Sequence, residues 1–218
     1  MEVKLIDHMG SDLTVVNAAR VSFDKVSEWN VIADDGVVGN YLKIEDENLI
    51  KYLAKHNHWT PFGHCYLQFH IKAPIFIARQ LAKHQVGLVW NEVSRRYVDS
   101  KPEFFDPQLF RGRAENKKQG SDPLSSIEYD MKPLIEYVTQ CYENMLNKGI
   151  CPEQARMVLP QAMYTEWYWS GSLAAFARVC NLRCKKDTQL ETRFIAHDIS
   201  SLAREHFPTS WECLTTGD

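Results

Sequence analysis

The sequence contains no run of about 18 or more uncharged apolar residues, so no segment reads as a membrane-spanning helix. Its first residues, Met1-Glu2-Val3-Lys4-Leu5-Ile6-Asp7, lack a long apolar stretch and a small-residue cleavage site, so no secretory signal is expected. Glycine and proline are sparse, 10 and 9 of 218 residues, and there is no repeat or low-complexity tract, which excludes collagen-like and disordered assemblies. Charge of one sign is missing too. The 25 basic and 28 acidic residues leave a net charge of −3, which argues against a general nucleic-acid coat. No Cys-x-x-Cys pair occurs among the six cysteines, Cys65, Cys141, Cys151, Cys180, Cys184 and Cys213. They read as free thiols of a reducing cytoplasm. Cys180 and Cys184 are spaced i, i+4 but lack the two further ligands a zinc site needs.

What remains is an ordinary globular composition, 44% hydrophobic and 24% charged, over a length that suits one domain, residues 1–218. Residues 3–6 predict a strand, and Ser11 an N-cap for a short helix bearing Leu13, Val16 and Ala19. Asp34-Asp35-Gly36, between Val31-Ile32 and Val37-Val38, signals a hairpin. Helical spacing returns over 47–56. Alternation over Cys65–Ile71 predicts a strand, and Pro74 opens a helix running to about His84. Residues 99–123, with Pro102, Pro107, Gly112, Gly120 and Pro123, predict a long surface loop. From Leu124 the pattern predicts helices to the end: a long one bearing Ile127, Met131, Leu134, Ile135, Val138, Met145 and Leu146 and ended by Gly149, one over 164–179 and one over 188–206. The expected architecture is α+β: an antiparallel sheet from the N-terminal half packed by long helices mostly from the C-terminal half.

Chemistry concentrates between Arg79 and Tyr97. On a helix, Gln80, Lys83 and His84 share a face. Gly87 permits a bend, and Asn91, Glu92, Ser94 and Arg96 follow. Cations suit a phosphate, Asn, Glu and Gln suit ring edges, and Trp90 and Tyr97 suit stacking on a polar heterocycle. The competing reading is a solvated helix end. His56, His58, His64 and His70 lie close in sequence, but no cysteine or carboxylate completes a metal spacing. Arg111, Arg113, Lys117 and Lys118, less Glu115, leave +3 in the long loop, which reads as a solvated segment or as a lid over an anionic ligand.

Seven blocks then carry a resemblance: Arg20-Val21-Ser22-Phe23, His58-Trp59-Thr60-Pro61-Phe62, Lys72-Ala73-Pro74-Ile75-Phe76, Arg79-Gln80, Asn91-Glu92-Val93-Ser94-Arg95-Arg96-Tyr97, Ala155-Arg156-Met157-Val158-Leu159-Pro160 and Asn181-Leu182-Arg183. In order and spacing the chain resembles flavin-dependent thymidylate synthases over residues 3–212. The family signature has Arg-His-Arg, seven residues, then Ser; here Lys83-His84-Gln85 and eight residues precede Ser94. The contacts made by residues 83–85 stay open on that account, and Ser172, Ala174 and Arg178 are not carried over as flavin contacts.

The resemblance implies a sheet with long helices, assembled as a homotetramer with active sites at subunit interfaces. It implies reductive methylation of dUMP to dTMP, with methylenetetrahydrofolate giving the carbon and FAD, reduced by NADPH, giving the hydride. A sister enzyme delivering another one-carbon product, such as hydroxymethyl, and an inactive flavin- or nucleotide-binding module are the alternatives. By motif position the resemblance implies Thr60, His84 and Glu92 as flavin contacts, with Lys83 and Gln85 beside them in the altered triplet. It implies Gln80, Lys83, Glu92, Ser94, Arg95, Arg96, Arg156 and Arg183 as dUMP contacts. Arg183 resembles the arginine that activates uracil, a role a fixed guanidinium suits because an adjacent cation favours the ring anion. Ser94 reads as a phosphate hydrogen-bond donor or, with His84 or Glu92 as base, as a nucleophile. No cysteine falls in the motif cluster, so thiol catalysis is not suggested.

Overall fold

The computed structural model describes residues 1–34, 37–107, 109–115, 120–122 and 125–215. In chain order they form β1 (Glu2–Met9), α1 (Asp12–Arg20), β2 (Asn30–Asp34), β3 (Val37–Tyr41), α2 (Ile44–Lys55), β4 (Tyr66–Pro74), α3 (Ile75–Leu81), β5 (Leu88–Glu92), β6 (Leu109–Phe110), β7 (Ile127–Glu128), α4 (Lys132–Asn147), α5 (Pro152–Ala155), β8 (Tyr164–Ser172), α6 (Leu173–Arg183), α7 (Leu190–His206) and α8 (Pro208–Thr215). The main sheet runs β1-β4-β8-β5, with every neighbouring pair antiparallel.

Alternation decides which face is buried. On β4 the inward residues are Leu67, Phe69, Ile71 and Ala73; on β8 they are Thr165, Trp167 and Trp169. Register sets Phe69 opposite Trp169 and Ile71 opposite Trp167. These side chains join Val15 and Val16 of α1, Ile50 of α2, Phe176 of α6, Ile195 of α7 and Trp211 of α8 in one core. Trp169 and Phe176 meet edge to face at 5.2 Å, a favoured arrangement of ring quadrupoles. The other face stays polar and open: Gln68 donates to Ser170 Oγ at 3.0 Å, and His70 lies 3.2 Å from Glu166.

The strand at Cys65–Ile71, the helix capped at Ser11 and the 31–38 hairpin correspond to β4, α1 and the β2–β3 pair. Asp35 and Gly36, the tip of that hairpin, lie outside the described residues, as do Lys117, Lys118, Pro123 and Leu124.

Four expectations need correction. Residues 164–172 are a central strand, not the start of a helix over 164–179; only 173–183 are helical. Tyr164-Thr-Glu-Trp-Tyr-Trp-Ser alternates with period two and is rich in aromatic and β-branched residues, and that pattern wins. The sheet therefore draws a central strand from the C-terminal half. Second, Ile127 belongs to β7, and the long helix starts at Lys132. Third, the helix after Pro74 ends at Leu81, so Gln80, Lys83 and His84 do not share a helix face. Fourth, the 99–123 segment is not simply a surface loop. Phe104 bridges to Met163, β6 pairs with β7, and Phe105 packs on Phe76 at 5.8 Å.

Candidate active site

Arg183 closes the last turn of α6, and its guanidinium is held from two sides. Nε donates to His84 Nε2 at 2.9 Å, and Nη2 donates to the backbone carbonyl of Gln80 at 3.4 Å. An imidazole nitrogen that accepts must carry its lone pair, so His84 is neutral with its proton on Nδ1. Its surroundings agree. Partial burial pushes the His84 pKa below its ordinary value, and the nearby Arg183 and Arg178 charges push it further down.

His84 reaches this place because the chain turns sharply after α3. The His84 N–H returns to Leu81 O at 2.9 Å, and Arg178 Nη2 holds Val86 O at 2.8 Å. Gly87 follows with φ of 76°, the left-handed region that glycine enters without a Cβ penalty. Opposite it, Gly171 leaves β8 bare. A Cβ there would overlap Gly87 O and come 2.5 Å from Leu88 Cδ2. The pair of glycines lets β5 dock against β8.

Gln80 is fixed by its own network. Its amide nitrogen donates to Gln189 Oε1, and its Oε1 accepts from Thr192 Oγ1 at 3.1 Å. Together Gln80, Arg183, Gln189, Thr188, Ser121 and Arg111 line a cleft of about 480 Å³. Arg111 is half-buried. Its Nη2 meets Glu191 Oε1 at 2.6 Å, and its Nε donates to Ser121 Oγ at 2.7 Å. The solvated-loop reading fails for this residue. Arg111, Ser121, Gln189 and Thr192 were not picked out as site residues by sequence. Only the positive charge of the loop pointed toward the first.

The other expected site residues divide into separate groups. Glu92 on β5 accepts from Thr165 Oγ1 at 2.8 Å and from Trp90 Nε1 at 3.2 Å. Ser94 Oγ accepts from Arg96 Nε at 3.2 Å and from the Arg96 backbone N–H at 3.4 Å, while Arg95 donates to the Ser100 carbonyl. His84 is thus engaged by Arg183, and Glu92 by Thr165 and Trp90, which leaves the nucleophile reading of Ser94 without a base in contact. Lys83 and Gln85 flank His84 and are exposed. Thr60 opens the 3₁₀ turn at 61–64, and Arg156 lies on another, donating to Glu153 O at 3.3 Å. Neither Thr60 nor Arg156 lines the cleft. Among the described residues no group of three or more His, Cys, Asp or Glu could hold a metal ion. No helix there is long and apolar enough to cross a membrane.

An α+β sheet protein with an oriented arginine lining a polar cleft has the features of a ligand-binding or catalytic protein. The family profile described as "Thymidylate synthase complementing protein" matches residues 4–209. A flavin-dependent thymidylate synthase of Thermus thermophilus is 38% identical over 213 residues, covering 96% of this chain and 73% of that protein. One from Thermosipho africanus is 35% identical over 216 residues, covering 96% and 89%. In structure the chain is similar to a UMP/dUMP methylase from Streptomyces cacaoi bound with 5-Br dUMP, with TM-score 0.78 and 28% identity over 99% of this chain and 94% of that one. The chain belongs to the flavin-dependent thymidylate synthase family, whose members are methyltransferases.

Proposed function

We propose that the protein carries out the reductive methylation of dUMP to dTMP, taking the carbon from methylenetetrahydrofolate and the hydride from FAD reduced by NADPH. The observation that carries this reading is the Arg183 guanidinium, held by neutral His84 and the Gln80 carbonyl at the edge of the Gln80–Gln189 cleft. Uracil becomes nucleophilic at C5 as negative charge gathers on its N3 and O2. Arg183 stabilises that charge without losing its own proton, and because it is already oriented it costs little reorganisation. The Gln80 side chain, fixed by Gln189 and Thr192, offers polar atoms to a ring edge. Ser94, Arg95 and Arg96 suit the substrate phosphate, with guanidiniums supplying paired donors.

The donor set near His84 also suits a flavin. Lys83, Arg178 and Gln85 are exposed around a neutral imidazole, and Trp59 beside Thr60 is 60% exposed, a free aromatic face. Cations there favour a diphosphate or an anionic ring. Thr60, Lys83, His84, Gln85 and Glu92 would hold FAD, which supplies the hydride chemistry when bound. Their task is to orient it, and that of Arg183 is to keep the uracil charge in place.

One chain separates these groups, and we infer that a homotetramer reunites them at subunit interfaces. The open face of the sheet supports this, with Tyr66 and Tyr168 each 47% exposed, as does α4, where Leu134 and Tyr137 face solvent. A cytoplasmic location fits six cysteines that are all unpaired. The test is to titrate the protein with FAD, add dUMP, methylenetetrahydrofolate and NADPH, and weigh the nucleotide product. Bound flavin and a gain of one methyl group are expected. A hydroxymethyl product, or flavin binding without turnover, overturns the reading. UMP belongs in the same assay, since the Streptomyces cacaoi methylase also has a structure bound with 5-Br UMP.

A further inference from the structure

Helices α6 and α7 flank a second cavity, of about 340 Å³, that shares no lining residue with the Gln80–Arg183 cleft. Cys180 and Cys184 line it from the last turn and C-cap of α6, and His197, Ser200 and Arg204 line it from α7 at i, i+3 and i+7. Lys185 adds a second cation, and no carboxylate lines the cavity among the described residues. A volume at the small end of the range for ligand pockets, with that charge, suits a short anion.

The two thiols are not alike. Cys180 is 2% exposed, and its Sγ lies 3.5 Å from Ala196 O. Cys184 is half-buried. The Cys180 S–H is in hydrogen-bonding contact with the Cys184 sulfur. It stabilises the Cys184 thiolate and pulls that pKa below the ordinary thiol value, against the effect of burial. The Cys180 thiol is pushed the other way, by its neighbour first and by burial second, so the proton stays on Cys180. An outer thiolate with a buried donor behind it is the arrangement of a nucleophile rather than of a core cysteine. A bond between the two is disfavoured. Cβ atoms one turn apart on a helix are about 5–6 Å from each other, and a disulfide brings them to about 3.5–4.5 Å.

We propose that Cys184 is a thiol-exchange site: its sulfur takes a thiol group from a low-molecular-weight disulfide that carries carboxylates, and Arg204 and Lys185 bind those carboxylates. The Cys184 thiolate attacks one sulfur of the disulfide, a new S–S bond forms as the old one breaks, and the departing thiolate takes up a proton from solvent. One disulfide is consumed and one is made, so no other oxidant is needed. Cys180 is held too far along the helix to displace the adduct, which persists until an outside thiol removes it. The site is independent of what the Gln80–Arg183 cleft binds.

The experiment treats the reduced full chain with glutathione disulfide, which is anionic, and separately with cystamine, which is cationic, and follows each cysteine by peptide mass mapping. Exposed Cys151 is the internal reference. Cys184 is expected to gain one glutathionyl group about tenfold or more faster than Cys151, and its advantage over Cys151 is expected to be smaller with cystamine. Arg204→Gln, or added salt, is expected to shrink the advantage with glutathione disulfide and leave that with cystamine. Cys180→Ala is expected to slow Cys184 by about threefold to tenfold with both reagents, because the thiolate loses its donor. If Cys180→Ala does not fold, the pH profile of the parent decides: exchange at Cys184 is expected to set in at lower pH than at Cys151. Modification of Cys151 at the same rate as Cys184 or ahead of it overturns the site. A fast Cys184 whose advantage is as large with cystamine overturns the binding of carboxylates by Arg204 and Lys185. A Cys180–Cys184 disulfide as the product overturns the persistent adduct.

Discussion

Replacing Arg183 by alanine removes a guanidinium that makes two native contacts, to His84 Nε2 at 2.9 Å and to Gln80 O at 3.4 Å. In the folded protein each is worth about 0.5–1.5 kcal/mol, and Arg183 is only partly buried, so the loss of stability is about 1–2 kcal/mol. The catalytic loss is larger. Removing one preoriented donor from a developing anion costs about 10²–10³ in turnover, or ~2.7–4 kcal/mol. The two effects separate experimentally: single-turnover conversion of dUMP reads the second, and thermal unfolding reads the first. Arg183→Lys sharpens the comparison. An ammonium keeps the charge but has no planar fork with which to meet His84 Nε2 and a ring edge together. It is expected to lose about tenfold to a hundredfold in turnover, one charge-assisted hydrogen bond, with little change in FAD content. An Arg183→Ala protein that is folded, holds FAD and turns over at the parental rate would refute the reasoning, and Arg183 would then be a helix-end residue that fixes α3 to α6.

Gly171→Ala places a methyl group against Gly87 O and Leu88, so it should cost about 1–3 kcal/mol by overpacking and shift β5; unfolding midpoints and turnover should fall together. Asp46 is fully buried and accepts from Arg20 Nε at 2.9 Å and from Ser27 Oγ, so Asp46→Ala strands Arg20 and should cost about 3–5 kcal/mol in denaturant melts. His84 has a folded pKa below its ordinary 6.5, so its contribution is full above about pH 6.5 and is lost as pH falls through the folded value. Turnover should therefore decline on the acid side as protonation takes away the acceptor for Arg183, and His84→Gln should flatten that limb. Lys83→Ala should weaken dUMP or FAD binding by about 1.5–3 kcal/mol in a salt-sensitive way, and Gln85→Ala should do less, as equilibrium titration at two ionic strengths will show.

Parts of the N-terminal half of the fold were legible where the period is unmixed, although β5 was not expected and the helix after Pro74 stops at Leu81, short of His84. Cys65–Ile71 alternates strictly, and β4 follows that alternation with its odd-numbered residues buried. Ser11 precedes a helix of short amphipathic spacing, and α1 begins one residue later. Strand β8 was misread because it runs into α6 without a turn. Tyr164–Ser172 alternates, Leu173–Arg183 is helical, and the change of period falls at Ser172, whose Oγ accepts the Ala175 N–H at 3.3 Å. A polar residue that caps a helix is also a weak member of a strand, so Ser172 was the available signal for the boundary. Short pairings such as β6 with β7 leave almost no periodic trace, because two residues cannot display a period.

The candidate site could be singled out in the sequence only where its polar residues follow one another along the chain. Residues 79–97 carry the polar cluster in one stretch, and Arg183 was placed by its motif. The partners that orient Arg183 were hidden by geometry. His84 meets it only because α3 stops at Leu81 and the chain doubles back, and nothing between Ala82 and Gln85 breaks a helix by intrinsic propensity. The interruption is imposed from outside: β5 must pair with β8, Gly171 admits it, and Arg178 takes the Val86 carbonyl that a continued helix would have used. The same logic explains Arg111. Its usefulness depends on Glu191, 80 residues away, which sits in the first turn of α7 and holds it against the cleft. A residue whose surroundings are set by a partner on another element leaves no spacing to read, whereas one whose contacts come from its own neighbours, as Ser94 has Arg96, can be singled out in the sequence itself.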